Sequence, residues 1–176
     1  MNSKFQLGWS NTFTYKDFSL YFLINGKIGG KVISFTEAEL DKLGVSQRTA
    51  DARLAAENNN DLIWNGKPAM YMPDGNLAPI NAYYQGIGGD VNATQYVYDA
   101  TNFRLRELSL GYTFRNLLGA SKNVSLSLIA RNLFFIYKDA PVDPDISLST
   151  QNGLGAFEIF NMPSARSFGI SLKANF

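Results

Sequence analysis

The stretch from Arg166 to Phe176 constrains the fold more than any other part of the sequence, because its bulky apolar residues occupy every second position. The apolar set is Phe168, Ile170, Leu172, Ala174 and Phe176. The small or polar set is Ser167, Gly169, Ser171, Lys173 and Asn175. A period of two with unlike sides is typical of a β-strand that separates two different media. The stretch therefore predicts a sheet with one apolar and one polar face.

The same alternation begins near the amino terminus. One side of the predicted strand 5–15 carries Phe5, Leu7, Trp9, Asn11, Phe13 and Tyr15. Lys16-Asp17 predicts a tight turn, after which residues 18–26 return as a second strand. At about 3.3 Å per residue, the first strand is roughly 36 Å long, which when tilted is enough for the roughly 25 Å apolar band of an outer-membrane barrel.

Three further strands are predicted at residues 100–114, 123–136 and 164–176, with long loops at 27–99 and 137–163. In the third strand the alternation shifts by one position at Arg106-Glu107, which predicts a β-bulge. Short and long connections alternate, as they do in outer-membrane barrels. The fold class predicted is all-β: about five antiparallel strands of a large transmembrane β-barrel, forming one partial barrel domain over residues 1–176.

Helix signals occur only in the first long loop. Thr36-Glu37-Ala38-Glu39 matches a capping box, in which Thr36 caps a short helix and Glu39 reaches back, with Gly44 ending the helix after Leu43. A second helical segment is predicted between Ser46 and Glu57. Pro68, residues 73–75 and Gly86-Ile87-Gly88-Gly89 are predicted to be turns and loop.

Aromatic residues recur at the predicted strand ends. Tyr15, Phe18, Tyr112, Phe114 and Phe176 fall at one level if the long loops share one side of the membrane. Aromatic residues at such a level are typical of the girdle of an outer-membrane barrel.

Composition argues against catalysis and against a nucleic-acid partner. The chain has no Cys and no His, which excludes disulfides, thiol chemistry, histidine-ligated metals and histidine acid/base catalysis. Its formal charge is +1, without a long basic run. We therefore predict no enzyme activity, no catalytic residue and no cofactor.

Two acidic groups were weighed as sites. Asp139, Asp143 and Asp145 offer oxygen ligands for Ca²⁺, but a proline-punctuated turn with local backbone bonds is favoured, so no metal is predicted. Glu37, Glu39 and Asp41 are interpreted as a solvated helix face rather than a hydrolytic carboxylate pair, because nothing in the sequence pairs or buries them.

Four aromatic residues in the first long loop are the candidate ligand contacts: Trp64, Tyr71, Tyr83 and Tyr84. Exposed aromatic rings stack on sugars or pack against peptides at binding sites. The alternatives left open are that they form the loop's own small core or contact a partner protein.

Three segments together resemble the end of SusC/RagA-type TonB-dependent outer-membrane transporters. They are residues 9–20 (WSNTFTYKDFSL), residues 98–114 (YDATNFRLRELSLGYTF) and residues 130–134 (ARNLF) followed by Asp143-Pro144-Asp145. The resemblance implies a Gram-negative outer-membrane barrel of roughly 22 strands with a plug in its lumen. It also implies import of glycans or peptides, a SusD-like surface lipoprotein as partner, and energy supplied through TonB.

On this resemblance the chain is the carboxyl-terminal part of a transporter and provides its last strands and two extracellular loops. The sequence does not start with a basic segment and an apolar core, so we expect a longer, secreted parent that carries the plug and the TonB-contacting part. The terminal strand is expected to close the barrel and to carry its insertion signal, with Gly169, Leu172, Ala174 and Phe176 as the residues concerned. The alternative is a soluble or secreted β-sandwich that binds a ligand in its loops and buries its apolar faces in a dry core.

Overall fold

A computed structural model describes residues 3–72, 74–89, 93–116, 123–146 and 155–175 of the chain. The long strands are β1 (Phe5–Tyr15), β2 (Phe18–Ile28), β8 (Asn102–Phe114), β9 (Asn123–Lys138) and β11 (Ser167–Asn175). The short strands are β3 (Lys31–Ser34), β4 (Ile63–Trp64), β5 (Lys67–Tyr71), β6 (Leu77–Pro79), β7 (Val97–Asp99) and β10 (Phe157–Glu158). The helices are α1 (Phe35–Leu43), α2 (Gln47–Glu57) and α3 (Ile80–Gly89). The described chain is thus mostly β-strand, with three helices between β3 and β7.

The chain divides into two compact units. The first unit comprises residues 1–31, 99–146 and 162–176, and the second comprises residues 32–98 and 147–161. The first unit contains an antiparallel sheet in the order β1-β2-β8-β9-β11. In the described part of the chain this sheet has two edges, β1 and β11.

The register aligns like residues across the five strands. Tyr15 pairs with Phe18 across the turn at Lys16-Asp17, as the alternation predicts. One row across all five strands consists of Phe13, Leu20, Leu110, Leu128 and Ile170. Side chains alternate between the two faces along each strand. This row and the residues two positions away from it on each strand therefore form one apolar face.

A bulge at Arg106 keeps this face continuous. Leu23 pairs with Glu107 and Ile24 with Leu105, so Arg106 is an extra residue on β8. An extra residue shifts the alternation by one position. Leu105 and Leu108 therefore lie on the same apolar face, as the sequence predicts.

Three contacts join residues 29–31, where the chain leaves β2, to residues 99–101, where it returns to β8. The Gly29 N–H donates to the Thr101 hydroxyl at 2.9 Å. The Ala100 N–H donates to the Gly30 carbonyl at 3.2 Å. Lys31 Nζ contacts Asp99 Oδ2 at 3.3 Å. The chain therefore leaves and re-enters the first unit at two adjacent points.

The second unit has its own small core. Ala56, Ile80 and Tyr84 are buried together, and five partly buried residues pack around them: Ala52, Leu62, Met70, Tyr83 and Ile87. Two three-stranded sheets, in the orders β10-β3-β7 and β4-β5-β6, and two 3-10 helices, Asn60–Leu62 and Ala93–Tyr96, complete the described secondary structure of this part of the chain.

Helix α3 corrects the sequence prediction of a loop at residues 86–89. Gly88 acts in helix packing, because a Cβ placed on it would lie 2.5 Å from the Ala38 carbonyl oxygen of α1. Only glycine permits so close an approach of two helices. Pro68, which was predicted to lie in a turn, is likewise part of β5.

The cap of α1 also differs from the prediction. Ser34, not Thr36, is the N-cap, and its hydroxyl accepts a hydrogen bond from the Glu37 N–H at 3.2 Å. Thr36 instead donates to Glu158 Oε1 at 2.8 Å. Glu39 pairs with Lys42 at 3.3 Å. The capping-box interpretation was wrong because the distant Glu158 takes the Thr36 hydroxyl as a partner.

We expect Ser34→Ala to expose the first turn of α1. An N-cap hydroxyl is worth about 1 kcal/mol, and here the same hydroxyl also donates to the buried Glu158 carboxylate at 2.7 Å. Hydrogen exchange at the Glu37 amide measures the effect and should become faster. Glu39→Gln is the control and should leave this exchange unchanged; a larger effect from Glu39→Gln would favour the capping box.

Candidate functional site

The apolar face of the five-stranded sheet is bare. Leu128 in the middle of the sheet is 55% exposed, and Phe168, Ile170 and Leu172 on β11 are 76%, 74% and 71% exposed. Soluble monomers rarely expose contiguous apolar surface on this scale. These residues are not sealed in the dry core that a β-sandwich requires.

The opposite face is lined by small and polar side chains. Gly111 lies between Ser19 and Ser127, and a Cβ on it would be only 2.5 Å and 2.9 Å from their hydroxyl oxygens. The Thr113 and Ser125 hydroxyls are 3.0 Å apart and share a hydrogen bond. Hydroxyl groups therefore line this face around Gly111 and Thr113.

Charged residues of the five described long strands lie on this polar face by register or by contact. They are Lys27, Arg104, Arg106, Glu107, Arg131, Lys138 and Lys173. A charge on the lipid side at the middle of a membrane costs about 2–4 kcal/mol, whereas the lumen side of a barrel accepts charge. The separation of charge from the apolar face is the property that a barrel wall needs.

The aromatic residues near the first turn share one level. Tyr15, Phe18 and Tyr112 are aligned across β1, β2 and β8. The Phe18 and Tyr112 rings meet edge-on at 4.7 Å, and Tyr112 and Phe114 at 4.8 Å. Phe176, predicted at the same level, lies outside the described residues.

The residues predicted for closure and insertion lie on β11. Gly169, Leu172 and Ala174 pair with Ile129, Leu126 and Val124 of β9, while Phe176 is outside the described residues. The other side of β11 is an edge of the described sheet. Their role in closure and insertion stays a prediction.

A group of five charged residues, the charge cluster, lies over the polar face. Its members are Lys27, Arg104, Arg106, Asp143 and Asp145. Asp145 forms an ion pair with Lys27 at 2.8 Å and accepts a hydrogen bond from Arg106 at 3.0 Å, and Arg104 lies 3.7 Å from it. Arg104 lies 3.5 Å from Asp143. The extra residue that creates the bulge thus also supplies one of the cations.

Arg104 is the buried centre of the charge cluster. Its side chain is 4% exposed, and its guanidinium lies 4.3 Å from the centre of the Phe135 ring. It also donates to the Ser164 hydroxyl. Burial acts to raise the pKa of the Asp143 carboxyl, but hydrogen bonds from Ser164 and the Asp145 N–H, with the Arg104 charge, outweigh it and lower that pKa.

These contacts account for the aspartates considered as Ca²⁺ ligands. Asp143 and Asp145 face cations, and Asp139 accepts a hydrogen bond from the Asp99 N–H at 3.1 Å. Among the described residues no group of acidic, His or Cys side chains is placed to hold a metal ion. Sequence reasoning missed the charge cluster because its partners are 39 positions apart along the chain.

The four candidate aromatic contacts are not gathered into one site. Tyr84 is 5% exposed in the core of the second unit, and its ring meets the Tyr83 ring edge-on at 5.1 Å. Trp64 and Tyr71 lie on β4 and β5 and are 42% and 60% exposed. Tyr83 and Tyr84 thus fit the alternative of a small loop core, whereas ligand contact by Trp64 and Tyr71 stays a prediction.

Asp41 is a buried carboxylate, and its interpretation as part of a solvated helix face was wrong. It accepts hydrogen bonds from the Ser46 hydroxyl at 2.6 Å, from the Tyr96 hydroxyl at 3.0 Å and from Arg48. Tyr96 follows Asp41 by 55 positions, so sequence proximity gave no signal. Burial, and then Asp41, raise the pKa of Tyr96.

Tyr96→Phe should destabilise the second unit by about 1.5–3 kcal/mol, because it removes a hydrogen bond to a buried charged group. The raised pKa of Tyr96 predicts that its contribution is present below the ordinary tyrosine pKa of about 10 and is lost as the pH rises through the folded value. Chemical denaturation at a series of alkaline pH values measures both effects. The exposed Tyr71→Phe is the control, and equal losses from the two variants would contradict the prediction.

No helix in the described stretches combines the length and apolar character that crossing a membrane would take. No protein-family model matches the sequence. The chain is 24% identical over 180 aligned residues to TonB-dependent receptor P3 of Formosa agariphila. The alignment covers 98% of this chain and 16% of that receptor, so this chain spans only a small part of the length of the receptor. Along nearly its whole length, the chain is similar to one part of a TonB-dependent receptor.

Proposed function

We propose that the chain is part of a SusC/RagA-type TonB-dependent transporter in the outer membrane of a Gram-negative bacterium. The observation that carries this proposal is the bare apolar face of the five-stranded sheet, from which charged residues are absent in the described strands. The similarity to a TonB-dependent receptor supports the TonB-dependent part of this assignment. Lipid then covers the apolar face and water the polar face.

In this role the strands form part of a barrel wall and perform no chemistry. The terminal strand β11 pairs with a strand from the remainder of the barrel, and Gly169, Leu172, Ala174 and Phe176 serve closure and insertion. Pairing there satisfies the free backbone groups, since an unpaired edge in hydrocarbon costs several kcal/mol per group. A plug elsewhere in the transporter contacts TonB.

The cargo proposed is a glycan or a peptide, captured with a SusD-like surface lipoprotein. This part of the proposal rests on the resemblance of residues 9–20, 98–114 and 130–134 to the transporter family. Trp64 and Tyr71 are two exposed aromatic residues of the second unit through which such a cargo would be contacted.

Site-directed spin labelling tests the proposal, because the chain has no cysteine. Single cysteines are introduced at each position from 168 to 173, and the labelled protein is refolded into phosphatidylcholine vesicles. Collision with oxygen, which partitions into lipid, should be highest at 168, 170 and 172. Collision with a water-soluble nickel chelate should be highest at 169, 171 and 173.

The same labels distinguish the β-sandwich alternative. A sandwich would stay in solution as a monomer without vesicles, and labels at 168, 170 and 172 would be shielded from both reagents. That result, or the absence of any alternation in vesicle-bound protein, would contradict a lipid-facing wall.

A further inference from the structure

Residues 139–146 form a strap, and its contacts with the polar face of the sheet are chiefly ionic. Asp143 and Asp145 form its ion pairs with the sheet, and their side chains are 7% and 10% exposed. Ala140 is buried, Pro141 is exposed, and Val142, Pro144 and Ile146 are half-buried. Ion pairs, together with the partial burial of these apolar residues, therefore hold the strap in place.

The charge cluster connects the strap to three parts of the first unit. Asp145 binds Lys27 of β2 and Arg106 of β8, at 2.8 Å and 3.0 Å. Asp143 accepts from Ser164, which precedes β11, and lies beside Arg104. Because the Asp145 carboxylate bridges two strands, moving it away from the sheet breaks both of its ion pairs.

The strap borders a recess of about 280 Å³ on the polar face. The recess is lined by Gln6, Leu7, Gly8, Asn25, Gly26, Lys27, Asn102, Arg106 and Asp145. Of these residues only Asp145 belongs to the strap. If the strap moves away, the recess becomes an open part of the polar face.

Two of the three cations that hold the strap, Lys27 and Arg106, are accessible to solutes, whereas Arg104 is buried. The side chains of Lys27 and Arg106 are 33% and 32% exposed, although both contact Asp145. Ion pairs at such positions are screened by salt and exchange with competing charges, which buried apolar contacts do not. The contacts of Asp145 with Lys27 and Arg106 are thus suited to release and re-formation.

We propose that the strap is a gate over the recess and that the charge cluster is its latch. In the closed state Asp145 neutralises Lys27 and Arg106 and bounds the recess. In the open state the strap leaves, the two cations face the solvent, and the recess joins the polar face. The inference goes beyond transport and does not depend on the membrane assignment.

Distance measurements between paired spin labels test the gate in the full chain in dodecyl maltoside micelles. A label pair at Thr12 of β1 and Val142 of the strap reports the strap. A second pair at Thr12 and Ser171 of β11 reports the sheet itself. In Asp143→Asn/Asp145→Asn we expect the strap distance to lose its single narrow peak and shift to longer values, while the sheet distance stays unchanged.

Two further variants complete the design. Glu107→Gln is the matched control, because Glu107 pairs with Arg131 at 2.9 Å on the same strand as the latch but does not contact the strap. Asp145→Glu keeps the charge and should keep the narrow peak. An unchanged strap distance in the double variant would overturn the proposal. So would a change in both distances, or an equal effect of Glu107→Gln, because the cluster would then support the whole sheet.

Discussion

Arg104→Met is expected to destabilise the first unit by about 3–5 kcal/mol, the usual result of removing one partner from a buried ion pair. Methionine keeps much of the side-chain volume but leaves Asp143, which is 7% exposed, without its cation. If the strap opens as proposed, Asp143 reaches water and the loss falls at the lower end of this range. Chemical denaturation followed by Trp9 fluorescence in a Trp64→Phe background measures the first unit alone.

Two variants separate charge from packing in this measurement. Arg131→Met removes a cation that is 60% exposed and should cost no more than about 1 kcal/mol. Arg104→Met/Asp143→Asn removes both charges and should recover part of the stability. A double variant as unstable as Arg104→Met would mean that Arg104 acts through its packing on Phe135 and not through its charge.

Leu128→Arg is expected to reduce the stability of the membrane-inserted protein by about 2–4 kcal/mol, because it places a charge on the proposed lipid face. Leu128 lies in the central row of that face and is 55% exposed. Urea titration of the protein folded into phosphatidylcholine vesicles measures this loss.

Ser127→Arg is the matched control, one residue away on the polar face, where Ser127 pairs with Gly111 and Ser171. It should change stability by much less, since the polar face already carries Arg131 and Lys173. Equal losses from the two variants would contradict the assignment of the two faces to lipid and water.

The long strands follow from sequence because their information is local. The alternation over residues 5–15 defines a strand, and the shift at Arg106-Glu107 marks the bulge that the register contains. Both depend on neighbouring residues in a regular period. The aromatic level of Tyr15, Phe18 and Tyr112 follows from the same register.

The features that the sequence does not reveal depend on partners far along the chain. Ser34 replaces Thr36 as a cap because Glu158 lies beside both hydroxyls. Gly88 signals a helix crossing only once Ala38 is known to lie 2.5 Å from its missing Cβ. Helix propensity alone would argue against a helix at such a glycine, since glycine ordinarily weakens a helix.

The candidate site divides in the same way. The alternation of apolar and polar residues predicts the two faces of the sheet. The latch depends on contacts of Arg104 and Arg106 with Asp143 and Asp145, which the sequence does not indicate. Prolines and aspartates near residue 143 indicate a turn, and that interpretation contains no information about which cations lie opposite.

The contacts of Gly29 with Thr101 and of Lys31 with Asp99 bear on how the sequence between β2 and β8 can vary. Strands β2 and β8 are joined at that point by contacts that lie within the first unit, outside the intervening residues 32–98. We therefore expect residues 32–98 to tolerate changes in length and composition with little effect on the register of β2 and β8. Related chains can then differ in the second unit while they keep the same five-stranded sheet.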